Sequence, residues 1–469
     1  MRRTAIGFVT VMVLGLLGYA IYYAAGVLAL GAGYGAKVMC SAVFVSGLAP
    51  ERVRSEELSG LLRLIDTEID LGQAAVEARF QGLLRRRAIY RPGLGCTLVH
   101  NRAMEPELRR EGERFAARRA TETHQPIPLP TASAGQLPVS ARARLESIVE
   151  EAFNEPDPAR PVRTRALLVV HRGHIVAERY ATGIDADTPL VGWSMTKSIV
   201  NALIGVLIGE GRLELDAPAP IGAWQATDDP RAEVTLNALL RMTSGIDFDE
   251  RTGPVLSDIN RLLFLEADVF AYASHRPLAH APETHWAYTG ASTNLLAGVI
   301  RRQVGGDPID YWAFPHEALF DRIGMRSAVI EPDSAGNLVG SSFSYATARD
   351  WARLGLLFLN DGIWAGERIL PEGWVAYTTR PTTLAPGQVY GAHWWLAWRD
   401  PEGPSSPDEE HPIAYSAQGY EGQYVVVVPE ADLVLVRLGQ TPVSSGWEMR
   451  PLVEAIVDVI APDGAGHGS

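Results

Sequence analysis

The stretch Val191-Gly-Trp-Ser-Met-Thr-Lys-Ser198 and the run behind it, Ser198-Ile-Val-Asn-Ala-Leu-Ile-Gly-Val-Leu-Ile-Gly209, restrict the fold more than any other segment. The run is apolar at helical spacing, which reads as a buried helix with Ser194 as its first residue. Ser194 and Lys197 are three apart, so on a helix they share a face and the amine reaches the hydroxyl. The positive end of the helix and burial both disfavour an ammonium ion. A neutral lysine beside a serine hydroxyl is one way to make a nucleophile. The chain contains two lysines, Lys37 and Lys197, and otherwise uses arginine, which never gives up its proton in proteins. An α/β-hydrolase elbow is disfavoured, because Gly192-Trp-Ser-Met-Thr196 has threonine where the second glycine belongs.

At 469 residues the chain has room for one large enzyme domain with extensions, or two to three domains. A net charge of −13 argues against a nucleic-acid partner. Arg2-Arg3 precede an uncharged apolar run from Thr4 to Ala25 that continues to Ala36. About 20 apolar residues cross a bilayer as a helix. The arginines belong on the cytoplasmic side, which puts the remainder in the periplasm or outside the cell, held to the cytoplasmic membrane. A cleaved signal peptide is the rival, with Gly18-Tyr-Ala20 as a small-residue site. Gly31-Ala-Gly-Tyr-Gly35 is not a dinucleotide loop, since no strand–helix unit surrounds it. Cys40 and Cys96 are a possible disulfide in an oxidising compartment, or two separate buried thiols.

We divide the chain into a membrane anchor or signal segment (1–36), an N-terminal extension (37–125), a proline-rich linker (126–139), a main domain (140–462) and a disordered tail (463–469). In the extension, Ala88-Ile-Tyr90 reads as strand, Arg91-Pro-Gly-Leu-Gly95 as a turn, Arg85-Arg-Arg87 as a solvated face, and 102–123 as a polar lead-in. In the main domain 140–153 reads as helix, and 165–171 with 175–180 as a hairpin. Val234–Met242 reads as a helix capped by Thr235. Residues 246–287 read as loops and short helices over a cleft. Leu295–Arg301 and Ala346–Leu359 read as helices, 424–428 with 433–438 as a second hairpin, and 448–460 as a closing helix. His171 with His174, and His275, His280 and His285, match no metal spacing, so no metal or cofactor is expected. Trp394, Trp395 and Trp398 suit either core or an apolar pocket. Pro401–Glu410 reads as a solvated loop.

Four stretches together resemble one family. Ser194-Met-Thr-Lys197 opens a helix, and Leu239-Leu-Arg-Met-Thr-Ser-Gly245 follows. Tyr288-Thr-Gly290 precedes another helix, and Gly419-Tyr-Glu-Gly-Gln423 precedes a hairpin. The chain resembles the serine β-lactamase and penicillin-binding-protein-like hydrolases, in the branch with class C β-lactamases, family VIII esterases and 6-aminohexanoate-dimer hydrolase. The resemblance implies an α/β (α+β) fold, an antiparallel sheet flanked by helices with a mostly helical subdomain. It implies an acyl-enzyme on Ser194, Lys197 as base and Tyr288 as proton relay. The oxyanion hole would be the backbone N–H groups of Ser194 and of Tyr420 after Gly419. Two departures bear on substrate. Gly290 stands where the second motif carries Asn or Ser, so either that polar side chain is missing or Ser292 or Asn294 replaces it. Ala417-Gln418-Gly419 stands where the third motif opens with a Lys or His that binds a substrate carboxylate. Both favour a small-molecule ester or uncharged amide over β-lactams and D-Ala-D-Ala peptides. The alternatives are a peptidoglycan-processing D,D-peptidase or β-lactamase, and a catalytically inactive envelope sensor.

Overall fold

The structure is a computed structural model that describes residues 2–121, 129–131, 137–226, 228–305, 307–396 and 414–461. Pro401–Glu410, Trp398, the tail from 463 and most of the linker lie outside the described residues.

The central sheet is antiparallel and five-stranded, in the order Tyr415–Gly419, Gln423–Val428, Leu433–Gly439, Thr164–His171, His174–Tyr180. Its middle strands are continuous apolar runs because both faces are covered. Ala166, Leu168 and Val170 point to one core, with Val425, Val427, Val434 and Val436. Leu167 and Val169 point to the other, with Val426, Leu433 and Leu435. That second face is covered by helices Val139–Glu151 and Arg450–Ile460, through Leu145, Val149, Val453 and Ile456. Helix Ala348–Leu359 covers the first face, close enough that a Cβ at Gly355 would stand 2.6 Å from Val434. Thr347 caps that helix by accepting from Asp350 N, and Thr235 caps Leu236–Leu240 in the same way from Ala238 N. Both hairpins and all of these helices occur where the sequence spacing puts them. The cleft region contains two short helices, Asp258–Phe264 and Val269–Ser274.

The extension is a four-stranded antiparallel meander, β1 (Ile65–Asp70), β2 (Ala75–Phe80), β3 (Leu83–Arg91) and β4 (Gly95–Val99), laid against the apolar helix α1 (Arg2–Phe44). The boundary drawn at 36 does not interrupt α1, which runs on to Phe44. The reason is burial. Residues 12–25 of α1 are exposed, whereas Ala36, Met39 and Cys40 have no exposed surface and share one core with Val76, Ala78, Cys96 and the main domain. Cys40 and Cys96 form a disulfide that ties α1 to β4. Small residues let the strands approach: a Cβ at Gly35 would lie 2.5 Å from Ile65, and one at Gly31 2.6 Å from Phe80.

The polar lead-in is, in the structure, a helix, α2 (Glu105–Ala120). Its acidic residues Glu105 and Glu107 lie in the first turn and Arg118 and Arg119 in the last, matching the helix dipole. Only Leu108, Gly112 and Phe115 are buried, a stripe too narrow to register as apolar periodicity. Its arginines reach the main domain, Arg119 holding both oxygens of Asp321 at 2.7 and 2.9 Å. Arg87 of the basic tract is likewise not free in solvent: it holds Glu105 at 3.1 Å.

Buried between extension and main domain, Lys37 of α1 donates to Glu331 and to Cys96 O, and Ser41 donates to Glu331 at 2.8 Å. Glu331 is fully buried and Lys37 is 3% exposed. Lys37→Met would strand the carboxylate, and a loss of about 3–5 kcal/mol is expected. The double variant Lys37→Met/Glu331→Leu should lose clearly less, in a comparison of denaturation midpoints of the full chain.

Candidate active site

Ser194 sits in a single tight turn, Trp193–Met195, and the α-helix proper starts at Thr196 and runs to Gly209. The turn is bent by Trp193 at φ +46, a conformation a bulky residue adopts only when the surroundings enforce it. Those surroundings are visible. Gly192 N donates to Ser344 O at 2.8 Å, Thr196 Oγ1 donates to Trp193 O at 2.6 Å, and Ser344 N donates to Thr196 Oγ1 at 3.1 Å. A Cβ at Gly192 would lie 2.3 Å from Trp351, so this backbone needs glycine.

Lys197 is 1% exposed. Its Nζ donates to Ser194 Oγ at 3.0 Å and to Ser341 O at 3.0 Å. The Tyr288 ring lies beside it, 4.8 Å from Nζ to the ring centroid. Tyr288 in turn packs on Trp395 and Tyr390, and Trp286 on Tyr390, an aromatic group adjoining the lysine. The neighbouring tryptophans therefore divide: Trp395 joins this group, while Trp394 is fully buried against Phe358.

Gly419 ends its strand against the nucleophile turn, and a Cβ there would lie 2.1 Å from Gly192 O. That approach brings the Tyr420 backbone beside Ser194, and the Tyr420 ring meets Trp193 edge-on at 5.9 Å. Gln418 turns to its own strand, donating to Ser416 Oγ at 3.0 Å. Ala417 is fully buried and brings no charge.

At the second motif, Gly290 begins the helix Gly290–Val304, capped by Thr289. Neither candidate replacement occupies the missing side chain's place. Ser292 Oγ pairs with Ser244 Oγ at 3.1 Å, and Asn294 Nδ2 donates to Gly290 O at 2.9 Å and Ser341 Oγ at 3.0 Å. The space is filled by Glu250, whose Oε2 accepts from Gly290 N at 2.7 Å and would lie 3.4 Å from a Cβ at 290. Burial pushes the Glu250 carboxyl up to about 7, against the pull of Lys197 and of the Gly290 N–H.

Glu250, Ser341 and His393 escaped the sequence reading. His393 is buried, its Nδ1 3.0 Å from Lys197 O, and burial with Lys197 lowers its pKa to about 3. The ring is therefore neutral and donates Nδ1–H to that carbonyl. Ser341 acts through its backbone oxygen, which leaves no mark in a sequence. Glu250 follows Asp247 and Asp249 and is indistinguishable there from solvated acids.

A lysine amine bonded to a serine hydroxyl at the head of a buried helix, abutting the edge strand of a five-stranded antiparallel sheet, defines a serine hydrolase of β-lactamase-like fold. The chain belongs to the Beta-lactamase family, whose profile matches residues 150–457. It is 25% identical over 343 residues to the 6-aminohexanoate-dimer hydrolase of Paenarthrobacter ureafaciens, covering 67% of this chain and 83% of that one. A solved Bacillus anthracis structure assigned as a 6-aminohexanoate-dimer hydrolase superposes with a TM-score of 0.54 at 22% identity, covering 71% of this chain and 86% of that one. A family VIII carboxylesterase gives 0.52 at 15% identity, covering 70% and 98%.

A carboxyl whose pKa rises from an ordinary value of 4.5 to about 7 on folding keeps its proton longer in the native state. It therefore subtracts stability as pH climbs through that window. Glu250→Gln should leave Gly290 N satisfied and remove this loss. The stability of the variant relative to wild type is expected to grow between pH 4.5 and 7 and then level off, in unfolding titrations at a series of pH values.

Proposed function

We propose that the protein is a membrane-anchored serine hydrolase that cleaves an ester or uncharged amide through an acyl-enzyme on Ser194. The observation that carries the reading is the 3.0 Å bond between Lys197 Nζ and Ser194 Oγ, with the amine held from its other side by Ser341 O. Lys197 accepts the Ser194 proton as Oγ attacks the carbonyl carbon. Negative charge on the carbonyl oxygen is met by the N–H groups of Ser194 and Tyr420. The ester C–O or amide C–N bond then breaks, and Tyr288 passes the proton to the departing alcohol or amine. Water, deprotonated by the same pair, splits the Ser194 ester and releases the acid.

An uncharged substrate is favoured because the third-motif cation is replaced by a buried alanine, Ala417, and the second motif adds a carboxyl, Glu250. A substrate carboxylate would meet an acid there. Anchoring is supported by the apolar run up to Ala25, exposed from Met12 onward along α1. A body outside the cytoplasm is supported by the Cys40–Cys96 disulfide.

Fluorophosphonate labelling and hydrolysis of a short-chain p-nitrophenyl ester test the reading. Ser194→Ala and Lys197→Ala should each lose labelling and at least about a thousandfold in kcat/KM while remaining folded. Tyr288→Phe should lose about a hundredfold in kcat and retain labelling. Full activity in Ser194→Ala would identify a different nucleophile. A folded wild type that neither labels nor turns over would support the sensor reading.

A further inference from the structure

Exposed large apolar residues are scattered over the body, as Leu71, Val139 and Val443 are, but one group of them stands where α1 leaves it. Gly31 of α1 packs on Phe80 at the end of β2, and Gly26, a turn and a half further out, packs on Leu256. Beside Phe80 stand Leu83 and Leu84, the first residues of β3, and the segment Leu61–Leu64, joined to the β2–β3 turn by Gln81 N donating to Leu64 O. Leu61 is 81% and Leu83 57% exposed, and Leu64 and Leu84 are 40% exposed. On the opposite side of α1, Val255 beside Leu256 is also 40% exposed. Isolated leucines on a surface need no account, but these adjoin the two side chains, Phe80 and Leu256, that stand over Gly31 and Gly26 of one helix. Outward of Gly26 the side chains of α1 from Met12 to Ala25 are exposed and apolar or aromatic, with Tyr22 still bonded to Arg261 of the body, so the neighbouring residues continue the apolar surface of the span.

The active site is connected to this part of α1. Tyr34 of α1 packs on Phe264 at 5.1 Å, Phe264 on Phe343 at 5.9 Å, Phe343 on Trp193 at 5.8 Å, and Trp193 on Tyr420 at 5.9 Å. Trp193 adjoins Ser194. Tyr34 is eight residues beyond Gly26, about 12 Å along the helix axis. The segment joining Glu250 of the site to Leu256 on Gly26 is six residues long. Ser194 is thus connected to the stretch of α1 that leaves the body through a run of packed aromatic rings.

Resting on the hydrolase reading above, we propose that Leu61, Leu64, Leu83, Leu84, Val255 and Leu256 seat the body on the bilayer and that the substrate is an amphiphile. It is a long-chain acyl ester or amide whose chain stays in the lipid while its carbonyl rises to Ser194. A rigid mount at the membrane surface gains nothing for a freely diffusing substrate. For a membrane-held one it converts a three-dimensional encounter into a positioned, two-dimensional one.

The full chain is reconstituted in phosphatidylcholine vesicles and given two reporters, a soluble p-nitrophenyl butyrate and a long-chain umbelliferyl ester held in the vesicles. The wild type is expected to cleave the vesicle-held ester with the higher kcat/KM. Leu61→Asp/Leu83→Asp should cleave it about tenfold or more slowly and leave butyrate hydrolysis unchanged. Leu61→Phe/Leu83→Phe should keep both rates. The proposal is overturned if the aspartate variant cleaves the vesicle-held ester as fast as wild type, if it loses both substrates equally, or if wild type prefers butyrate. Cleavage of neither reporter by wild type sinks the hydrolase reading itself, a result separate from those three.

Discussion

The rest of the site depends on keeping one lysine amine buried and aimed. Lys197 is 1% exposed, and its Nζ has two oxygen partners, Ser194 Oγ and Ser341 O, each at 3.0 Å. Taking an ammonium out of water is expensive unless its donors are used, so each partner must be supplied and held. Ser341 is held by Asn294, whose amide spans Gly290 O and Ser341 Oγ. The lysine's own backbone is fixed by His393 from the opposite wall, where Ser198 Oγ also donates to His393 O at 2.7 Å. The buried polar residues of the helix behind Lys197 serve the same purpose. Asn201 donates to Ala392 O and accepts from Trp374 Nε1, so a polar group inside an apolar helix is fully engaged and locks the helix in rotation.

A single segment, 329–346, transmits that arrangement to the extension. At its start Glu331 takes Lys37 and Ser41 from α1. In its middle Ser341 O takes Lys197. Toward its end Ser344 pairs with Gly192 and Thr196 at the nucleophile turn. The extension is therefore not an appendage to the hydrolase. The two lysines of the chain lie at two buried junctions of this one segment, Lys37 facing a carboxylate inside a core and Lys197 a hydroxyl. At the second junction the reason for a lysine is chemical, since a base must be able to lose its proton and arginine does not.

The parts legible in the sequence are those where side-chain period and local chemistry agree. The Ser194 helix, both hairpins of the central sheet and the helix after Thr347 announce themselves through apolar spacing, and the helix after Thr235 through its capping hydroxyl as well. Helix α2 did not, because three buried positions in sixteen carry too little apolar signal and its stability comes from ion pairs to a distant part of the chain. The boundary at Ala36 does not coincide with a helix end for the opposite reason: a continuous apolar run looks the same whether or not protein covers it, and α1 is exposed over its first part and buried over its second. Glu250, Ser341 and His393 were invisible because their roles come from where the fold brings an acid, a carbonyl and a ring, not from local spacing.

Glu250 changes the charge logic of the site. In the related pattern the second motif contributes a neutral amide or hydroxyl and the third a cation that greets a substrate carboxylate. Here the second motif contributes only a backbone N–H, and that N–H is spent on a carboxyl drawn from another loop. A larger residue at 290 would collide with what replaced it, since a Cβ there stands 2.9 Å from Ile259 and 3.3 Å from Ser341. The exchange is thus mutual, glycine making room and the acid filling it. Lys197 faces an acid whose own charge burial holds back to about pH 7. Once ionised, that acid opposes any anion brought to the site. An acid in this place and the missing third-motif cation act in the same direction, which is the charge argument behind the proposed uncharged ester or amide.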